Sequence, residues 1–134
     1  NVTQAAPMGT LVAAPAAGTA SGPDWQPWSA ERVAELTAAG RPVFVDFTAA
    51  WCVTCQYNKR TTLANAAVQA DFAARNVALL RADWTRRDPA ITTALGQLGR
   101  SGVPVYVLHA PGRAPVVMTE ILSPAEVHGA LAAL

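Results

Sequence analysis

The chain has 134 residues, of which 51% are hydrophobic and 14% charged, and ten basic against nine acidic residues give a formal net charge of +1. This length fits one domain, and the near-neutral charge without a basic run excludes an electrostatic nucleic-acid partner. No stretch reaches the roughly 18–20 uninterrupted apolar residues of a membrane span, and two cysteines are too few for a disulfide scaffold.

Residues 1–23 are predicted to form a flexible linker. They carry no charge and consist mostly of Ala, Gly, Pro, Thr and Ser, a composition that buries little apolar surface. A signal peptide is the competing interpretation, but the segment has no basic region, and Pro15 and Gly18 interrupt its apolar stretch. Because the chain starts with Asn1 rather than Met, we expect a fragment or a processed product. The folded domain is expected over residues 24–134.

The first predicted elements lead to the two cysteines. Ser29 is the expected N-cap of a helix to about residue 39, which Gly40 ends. Residues 42–47 are apolar and rich in β-formers, which predicts a strand buried on both faces of a central sheet. The sequence Trp-Cys-Val-Thr-Cys follows at residues 51–55 and begins the next predicted helix.

Two more helices and a strand are predicted in the middle of the chain. The helix after the cysteines is expected to reach about residue 63, and Asn65 is the expected N-cap of another short helix. Residues 77–82 are typical of a second buried strand. Asp88 and Pro89 match an N-cap and a first helical position, so a further helix is expected there.

A hairpin and a last helix complete the predicted fold. Residues 103–108 and 116–118 are predicted strands, joined through a turn at residues 111–112. Residues 123–126 match a capping box and begin a helix that we expect to turn Leu134 inward. Strand–helix–strand units ending in a hairpin predict an α/β fold, with a central mixed sheet flanked by helices on both faces.

The cysteine pair admits three interpretations: half of a zinc site, a structural disulfide or a redox pair. Zinc needs four ligands, and the other candidates, His109 and His128, are far apart in the sequence, so no metal is expected. A static disulfide that closes so short a loop would stabilise the fold little. The sequence therefore favours a redox pair.

The predicted position of the pair supports redox chemistry. Cys52 follows a buried strand at a helix N-terminus, where unpaired N–H groups and the helix dipole favour a thiolate. Cys55 lies one helical turn further on and is expected to point inward. In this hypothesis Cys52 attacks a partner disulfide and Cys55 resolves the mixed disulfide. No nearby His is available as the base of a hydrolytic mechanism.

Three segments, in this order, resemble thioredoxin-fold proteins over about residues 28–134. They are Val-Asp-Phe at residues 45–47, Trp-Cys-x-x-Cys at 51–55 and Gly-Val-Pro at 102–104. The resemblance implies a thioredoxin fold and a dithiol–disulfide oxidoreductase, that is, a protein-disulfide reductase. No metal, flavin or nucleotide is implied, because the cofactor is the cysteine pair itself.

Residues 44–55, 81–89 and 99–104 look more closely similar to the C-terminal periplasmic domain of the DsbD and ScsB family of transmembrane thiol:disulfide interchange proteins. This resemblance implies a periplasmic domain of an inner-membrane protein, monomeric when isolated. The implied electron donor is a membrane-embedded domain of the same polypeptide. The implied acceptor is the N-terminal domain or a periplasmic thioredoxin-like protein. The uncharged linker would then be a tether to the last membrane helix.

The same resemblance implies roles for two residues outside the cysteine motif. Asp46 would lie beneath Cys55 and relay its proton; the alternative is an Asp satisfied by backbone groups at the strand end. Pro104 would be a cis-proline that faces the cysteines, with Val103 offering backbone groups to an extended partner segment. The alternative is a trans proline that opens an edge strand.

The residues around the cysteines are expected to contact the partner. Trp51 would cover the pair and form part of the docking surface, although a core aromatic is the alternative. Val53 and Thr54 separate the cysteines and would tune the reduction potential. DsbD-type sequences often carry acidic residues where this chain has Ala50 and Lys59, so carboxylates that raise the cysteine pKa are not expected here.

Two other functions remain open at the level of sequence. One is a stand-alone thioredoxin-like periplasmic reductase, which the coding sequence upstream of residue 1 would distinguish from a domain of a membrane protein. The other is a redox-silent thioredoxin-fold binding module, in which the two cysteines would not interconvert between dithiol and disulfide.

Overall fold

The computed structural model describes residues 23–134, so the predicted linker lies outside the described residues except for Pro23. The strands are β1 (Gln26–Pro27), β2 (Val43–Thr48), β3 (Ala78–Asp83), β4 (Val105–His109) and β5 (Val116–Val117). The helices are α1 (Ala30–Ala38), α2 (Val53–Asn58), α3 (Ala66–Ala74), α4 (Pro89–Gln97) and α5 (Pro124–Ala132). A π-helical segment, Lys59–Leu63, continues α2 without a break.

The five strands form one mixed sheet in the order β1-β3-β2-β4-β5. β3 is parallel to both β1 and β2, whereas β4 is antiparallel to β2 and β5. All six residues of β2 are buried, as expected for a strand at the centre of a sheet covered on both faces. The predicted mixed sheet is confirmed.

Alternate residues of β2 serve two separate cores, because successive side chains of a strand point to opposite faces. Val45 and Phe47 pack with residues of α1 and α4 on one face, whereas Phe44 packs with residues of α3 and α5 on the other. Helices therefore cover both faces of the sheet, and the predicted α/β architecture is confirmed. Among residues 23–134, no helix has the length and apolar character needed to span a membrane.

The predicted helix caps are present, with one change of partner. The side chains of Ser29, Asn65 and Asp88 each accept hydrogen bonds from backbone N–H groups at the start of their helices. Ser123 likewise accepts from the Glu126 N–H at 3.1 Å. The capping box is not reciprocal, because the Glu126 carboxylate accepts instead from the N–H and hydroxyl of one residue outside the helix, Thr119.

One strand was not predicted, and two expectations at the ends of elements are wrong. β1 was not predicted, because two exposed residues carry no hydrophobic period; it pairs at the sheet edge with Gln26 opposite Leu80. β4 begins at Val105 rather than at residue 103, after a proline that lacks a backbone donor. Leu134 is 37% exposed, because α5 ends at Ala132 before that side chain can turn inward.

A buried amide connects the segment after the cysteines to the loop before α5. Asn58 is fully buried at the end of α2, and its Nδ2 donates to the Tyr106 hydroxyl at 2.9 Å and to the Glu120 carbonyl at 2.7 Å. Its Oδ1 accepts from the Leu122 N–H at 3.3 Å. One side chain thus satisfies polar groups of β4 and of the loop before α5.

We expect Asn58→Ala to lower the free energy of unfolding by about 2–3 kcal/mol, because it leaves several buried polar groups without partners. Urea denaturation measures the change. Thr93→Ala, at an exposed position of α4, is the control and should change stability by less than about 0.5 kcal/mol. Equal stability of the two variants would contradict a structural role for the amide.

Candidate active site

The two cysteines lie where the central strand passes into α2. β2 ends at Thr48, and Cys52 is the N-cap of α2, with its Sγ accepting the Cys55 N–H at 3.1 Å. The side chains form a Cys52–Cys55 disulfide with their Cα atoms 5.2 Å apart. Cys52 is 7% exposed and Cys55 is completely buried. Only the first sulfur therefore lies on a residue that solvent or a partner can reach.

The loop before β4 packs against the disulfide. Cys52 and Cys55 form a small buried cluster with Ala49, and Val103 packs against this cluster. The peptide bond between Val103 and Pro104 is cis, as the sequence predicts, and Pro104 is buried. The structure thus brings the predicted docking residue Val103 to the cysteines, and Pro104 follows it in the same loop.

The other predicted docking residues surround Cys52 at the surface. Trp51 is 49% exposed and Val53 is 82% exposed, while Thr54 is half-buried. The indole Nε1 of Trp51 donates to the Thr85 carbonyl at 3.0 Å, and the Ala50 N–H donates to the Thr85 hydroxyl at 2.8 Å. A loop between β3 and α4 therefore holds the tryptophan in place. Sequence reasoning missed this contribution of Thr85.

Asp46 is fully buried in β2 and has one side-chain partner among residues 23–134. Its Oδ2 accepts from the Arg81 Nε at 3.0 Å, while its Oδ1 is buried without a hydrogen bond. Burial raises the pKa of Asp46, and the charges of Arg81 and Lys59 oppose that rise. Among residues 23–134, no backbone N–H donates a hydrogen bond to the Asp46 carboxylate, so the alternative of an Asp satisfied by backbone groups is not observed.

Arg81 is a functional candidate that the sequence analysis did not identify. It lies on β3 directly opposite Asp46 of β2 in the parallel pair. A sequence signal existed, because an Arg inside an otherwise apolar strand needs an anionic partner on a neighbouring strand. The strand order was needed to name that partner.

Lys59 lies in the π-helical segment, and its Nζ donates to the Thr48 hydroxyl. Burial lowers the pKa of Lys59, and the charge of Asp46 opposes that shift. A cavity of about 260 Å³ at this end of the sheet is lined by Thr48, Ala49, Ala50, Gln56, Lys59, Arg81, Asp83 and Thr85. A larger cavity of about 470 Å³ lies beside α3 and the start of β3, and none of the predicted site residues lines it.

The histidines considered as zinc ligands lie on other elements. His109 ends β4, and burial lowers its pKa; the Nδ1 of His128 lies 2.7 Å from Asp71 Oδ2. Within residues 23–134, no three side chains of His, Cys, Asp or Glu lie close enough together to bind a metal ion.

Comparison with known proteins places this geometry in a family. Residues 24–111 match the family described as thioredoxin-like. Thiol:disulfide interchange protein DsbD 1 of Pseudomonas aeruginosa is 35% identical over 112 residues, which are 79% of this chain and 19% of that protein. DsbD of Ralstonia nicotianae is 49% identical over 55 residues, which are 41% of this chain and 9% of that protein. The chain thus spans less than a fifth of the length of these relatives.

Solved structures share the fold at lower sequence identity. The reduced C-terminal domain of Neisseria meningitidis DsbD superposes with a TM-score of 0.63 at 19% identity, covering 78% of this chain and 94% of that chain. A thioredoxin from Thermus thermophilus gives a TM-score of 0.65 at 21% identity, covering 84% of this chain and 87% of that one. With its cysteine pair at the N-terminus of α2, the chain belongs to the thioredoxin-like family and is similar to part of the DsbD thiol:disulfide interchange proteins.

Proposed function

We propose that this domain is a dithiol–disulfide oxidoreductase that reduces disulfides of partner proteins through Cys52 and Cys55. The observation that carries the proposal is the asymmetry of the pair at the N-terminus of α2. Cys52 is on the accessible side and accepts a backbone hydrogen bond, while Cys55 is completely buried behind it. Backbone N–H groups and the helix dipole stabilise a thiolate at such a position.

The reaction begins with the reduced pair. The Cys52 thiolate attacks one sulfur of a partner disulfide, forming a mixed disulfide and releasing the other partner sulfur as a thiolate, which takes a proton. Cys55 then loses its proton, and its thiolate attacks the Cys52 sulfur. This step forms the Cys52–Cys55 disulfide and releases the second partner thiol. Two electrons pass to the partner, and its two sulfurs take up two protons, one that Cys55 released and one from solvent.

Asp46 supplies the proton acceptor for the buried thiol in this proposal. Its position in the central strand, its buried Oδ1 without a hydrogen bond in the described chain and its raised pKa support the role. The guanidinium of Arg81 at 3.0 Å favours the ionised carboxylate, which must be present before the proton arrives. The path from Cys55 to Asp46 would include water.

The partner contacts the exposed side of the pair. Trp51 and Val53 supply apolar surface beside Cys52, and Thr54 lies between the cysteines. Val103 offers backbone groups to an extended partner segment, and Pro104 keeps the loop before β4 against the disulfide. Val53 and Thr54 also influence the reduction potential, because they border both sulfurs.

The cellular setting is part of the same proposal and rests on similarity to the DsbD proteins. The domain would be the periplasmic end of a DsbD- or ScsB-type inner-membrane protein and act as a monomer. A membrane-embedded domain of the same polypeptide would donate electrons. The N-terminal domain or a periplasmic thioredoxin-like protein would accept them. No cofactor besides the cysteine pair is required.

We expect Cys55→Ser to accumulate a mixed disulfide with a protein substrate such as oxidised insulin chains, because Cys52 can still attack and nothing resolves the product. Cys52→Ser should accumulate none. Non-reducing gels and mass spectrometry of alkylated samples measure the adducts. Equal trapping by both variants would overturn the assigned roles.

We expect Asp46→Asn to slow the resolving step by about tenfold or more while the first attack changes little, because the variant lacks the carboxylate that accepts the Cys55 proton. Rapid acid quenching followed by mass spectrometry separates the two steps. Asp71→Asn, on α3, is the control and should leave both steps unchanged.

Stability provides a second readout for Asp46. Because its pKa in the folded protein is raised above 3.8, stability falls as pH rises through the interval between 3.8 and the raised value. Asp46→Asn lacks this fall. The free energy of unfolding of the variant minus that of wild type should therefore be larger at pH 8 than at pH 4. The pKa of Asp71 is lowered by hydrogen bonds from His128 and Arg75, so the stability that this group contributes is lost as pH falls below 3.8, outside the interval in which Asp46 acts. In the acid-quench experiment, an unchanged rate of the resolving step in Asp46→Asn would show that the carboxylate does not take part in the mechanism.

A further inference from the structure

The loop between β3 and α4 places an arginine against the tryptophan that precedes Cys52. The guanidinium carbon of Arg87 lies 5.1 Å from the centre of the Trp51 ring and 5.3 Å from that of Trp84. Arg87 has φ +52°, in the left-handed region that non-glycine residues seldom adopt, and its N–H donates to the Trp84 carbonyl at 2.9 Å. The backbone therefore holds this side chain beside the active site.

The two arginines of this loop, Arg86 and Arg87, are not held in salt bridges among residues 23–134. Arg86 and Arg87 are exposed, and no salt bridge of the described chain includes either residue. The neighbouring carboxylates accept their hydrogen bonds from other groups, although the charge of Arg86 adds to the hydrogen bonds from Thr85 in lowering the pKa of Asp83. Asp83 accepts from the N–H and hydroxyl of Thr85, and Asp88 accepts from backbone N–H groups at the start of α4.

Two other arginines at the surface of the domain do have carboxylate partners. Arg32 pairs with Glu35 at 3.0 Å, and Arg75 pairs with Asp71 at 2.8 Å. Residues 1–22 contain no carboxylate side chain that could neutralise the loop. Exposed arginines without a salt bridge in the described chain also occur elsewhere, namely Arg60, Arg100 and Arg113. The two arginines of the loop differ from these because their loop holds Trp51, next to Cys52, where a partner must dock.

We propose that Arg86 and Arg87 form, with Trp51, a receptor for a carboxylate side chain of the partner, next to the disulfide that is reduced. A guanidinium that lies against aromatic rings keeps its N–H edge available, and that edge binds carboxylates with two parallel hydrogen bonds. The preferred substrate is a disulfide-bearing segment with Asp or Glu within a few residues of the attacked cysteine. The inference rests on the proposed reductase function and specifies its substrate class.

Electrostatic selection of this kind acts mainly on the rate at which the partner associates with the domain. Charges at the edge of a docking surface raise the association rate for a partner of opposite charge and lose this effect in high salt. The arginines also favour the Cys52 thiolate, which speeds the reduction of every disulfide alike. The ratio of rates for an acidic and a neutral substrate separates the two effects.

The test uses the full 134-residue chain, reduced beforehand, and two synthetic peptides each closed by one disulfide. The peptides are identical except for Glu or Gln on either side of one cysteine. At about 0.01 M salt, where the screening length is about 30 Å, we expect the Glu peptide to be reduced about three to ten times faster. At about 1 M salt, where the screening length is about 3 Å, the ratio should approach one.

Matched variants assign the preference to the loop. Arg87→Gln should reduce the Glu/Gln ratio to below about twofold, and Arg87→Lys should retain most of it because the charge is kept. Arg86→Gln should lower the ratio without altering the contact of Arg87 with the tryptophans. Arg113→Gln removes the same charge from the turn between β4 and β5, at the opposite end of the sheet, and should leave the ratio at the wild-type value.

The outcomes distinguish this inference from the function on which it rests. Equal rates for both peptides with the wild-type chain, or the same ratio in Arg87→Gln, would overturn the carboxylate receptor while leaving the reductase intact. Failure to reduce either peptide would overturn the proposed reductase and the receptor with it.

Discussion

The hydrogen bond from the Cys55 N–H to the Cys52 sulfur, at 3.1 Å, is the contact on which the rest of the site depends. It makes Cys52 the N-cap of α2, so the first sulfur receives the N–H groups and dipole of a helix while Cys55 turns into the protein one turn later. The central strand β2 is buried on both faces and fixes where that helix begins. The two cysteines therefore differ in exposure, with Cys52 the more accessible. This difference suits attack by Cys52 and resolution by Cys55.

Beneath and beside this pair, charge is arranged in two ways. Asp46 and Arg81 lie opposite each other on neighbouring strands, where burial raises the pKa of the carboxyl and the guanidinium opposes that rise. At the surface, Arg87 lies against Trp51 without a carboxylate partner in the described chain. In our proposals the buried charge governs proton transfer within the domain, and the exposed charge governs which partner approaches Cys52.

Much of the fold could be predicted from the sequence, because its signals were local. Apolar runs defined β2 and β3, and side-chain caps such as Asn65 marked helix starts. The residues at the cysteines were also identified, since the Cys-x-x-Cys spacing and the cis Val103–Pro104 bond belong to short motifs. Features that depend on distant segments escaped prediction. Predicting the pair of Arg81 and Asp46 requires the strand order. Predicting the position of Arg87 requires knowledge of the left-handed backbone conformation of that residue. The two-residue strand β1 forms only by pairing with β3.

The most direct test of a redox-active pair is an equilibrium titration of the chain in buffers of reduced and oxidised dithiothreitol or glutathione at pH 7. Thiols are alkylated at each point and counted by mass spectrometry. A redox centre gives one transition in which both cysteines change together, with a tenfold change in the ratio of the two forms for every 30 mV or so. Cysteines that stay in one form throughout the series, or that change one at a time, would contradict a dithiol–disulfide mechanism.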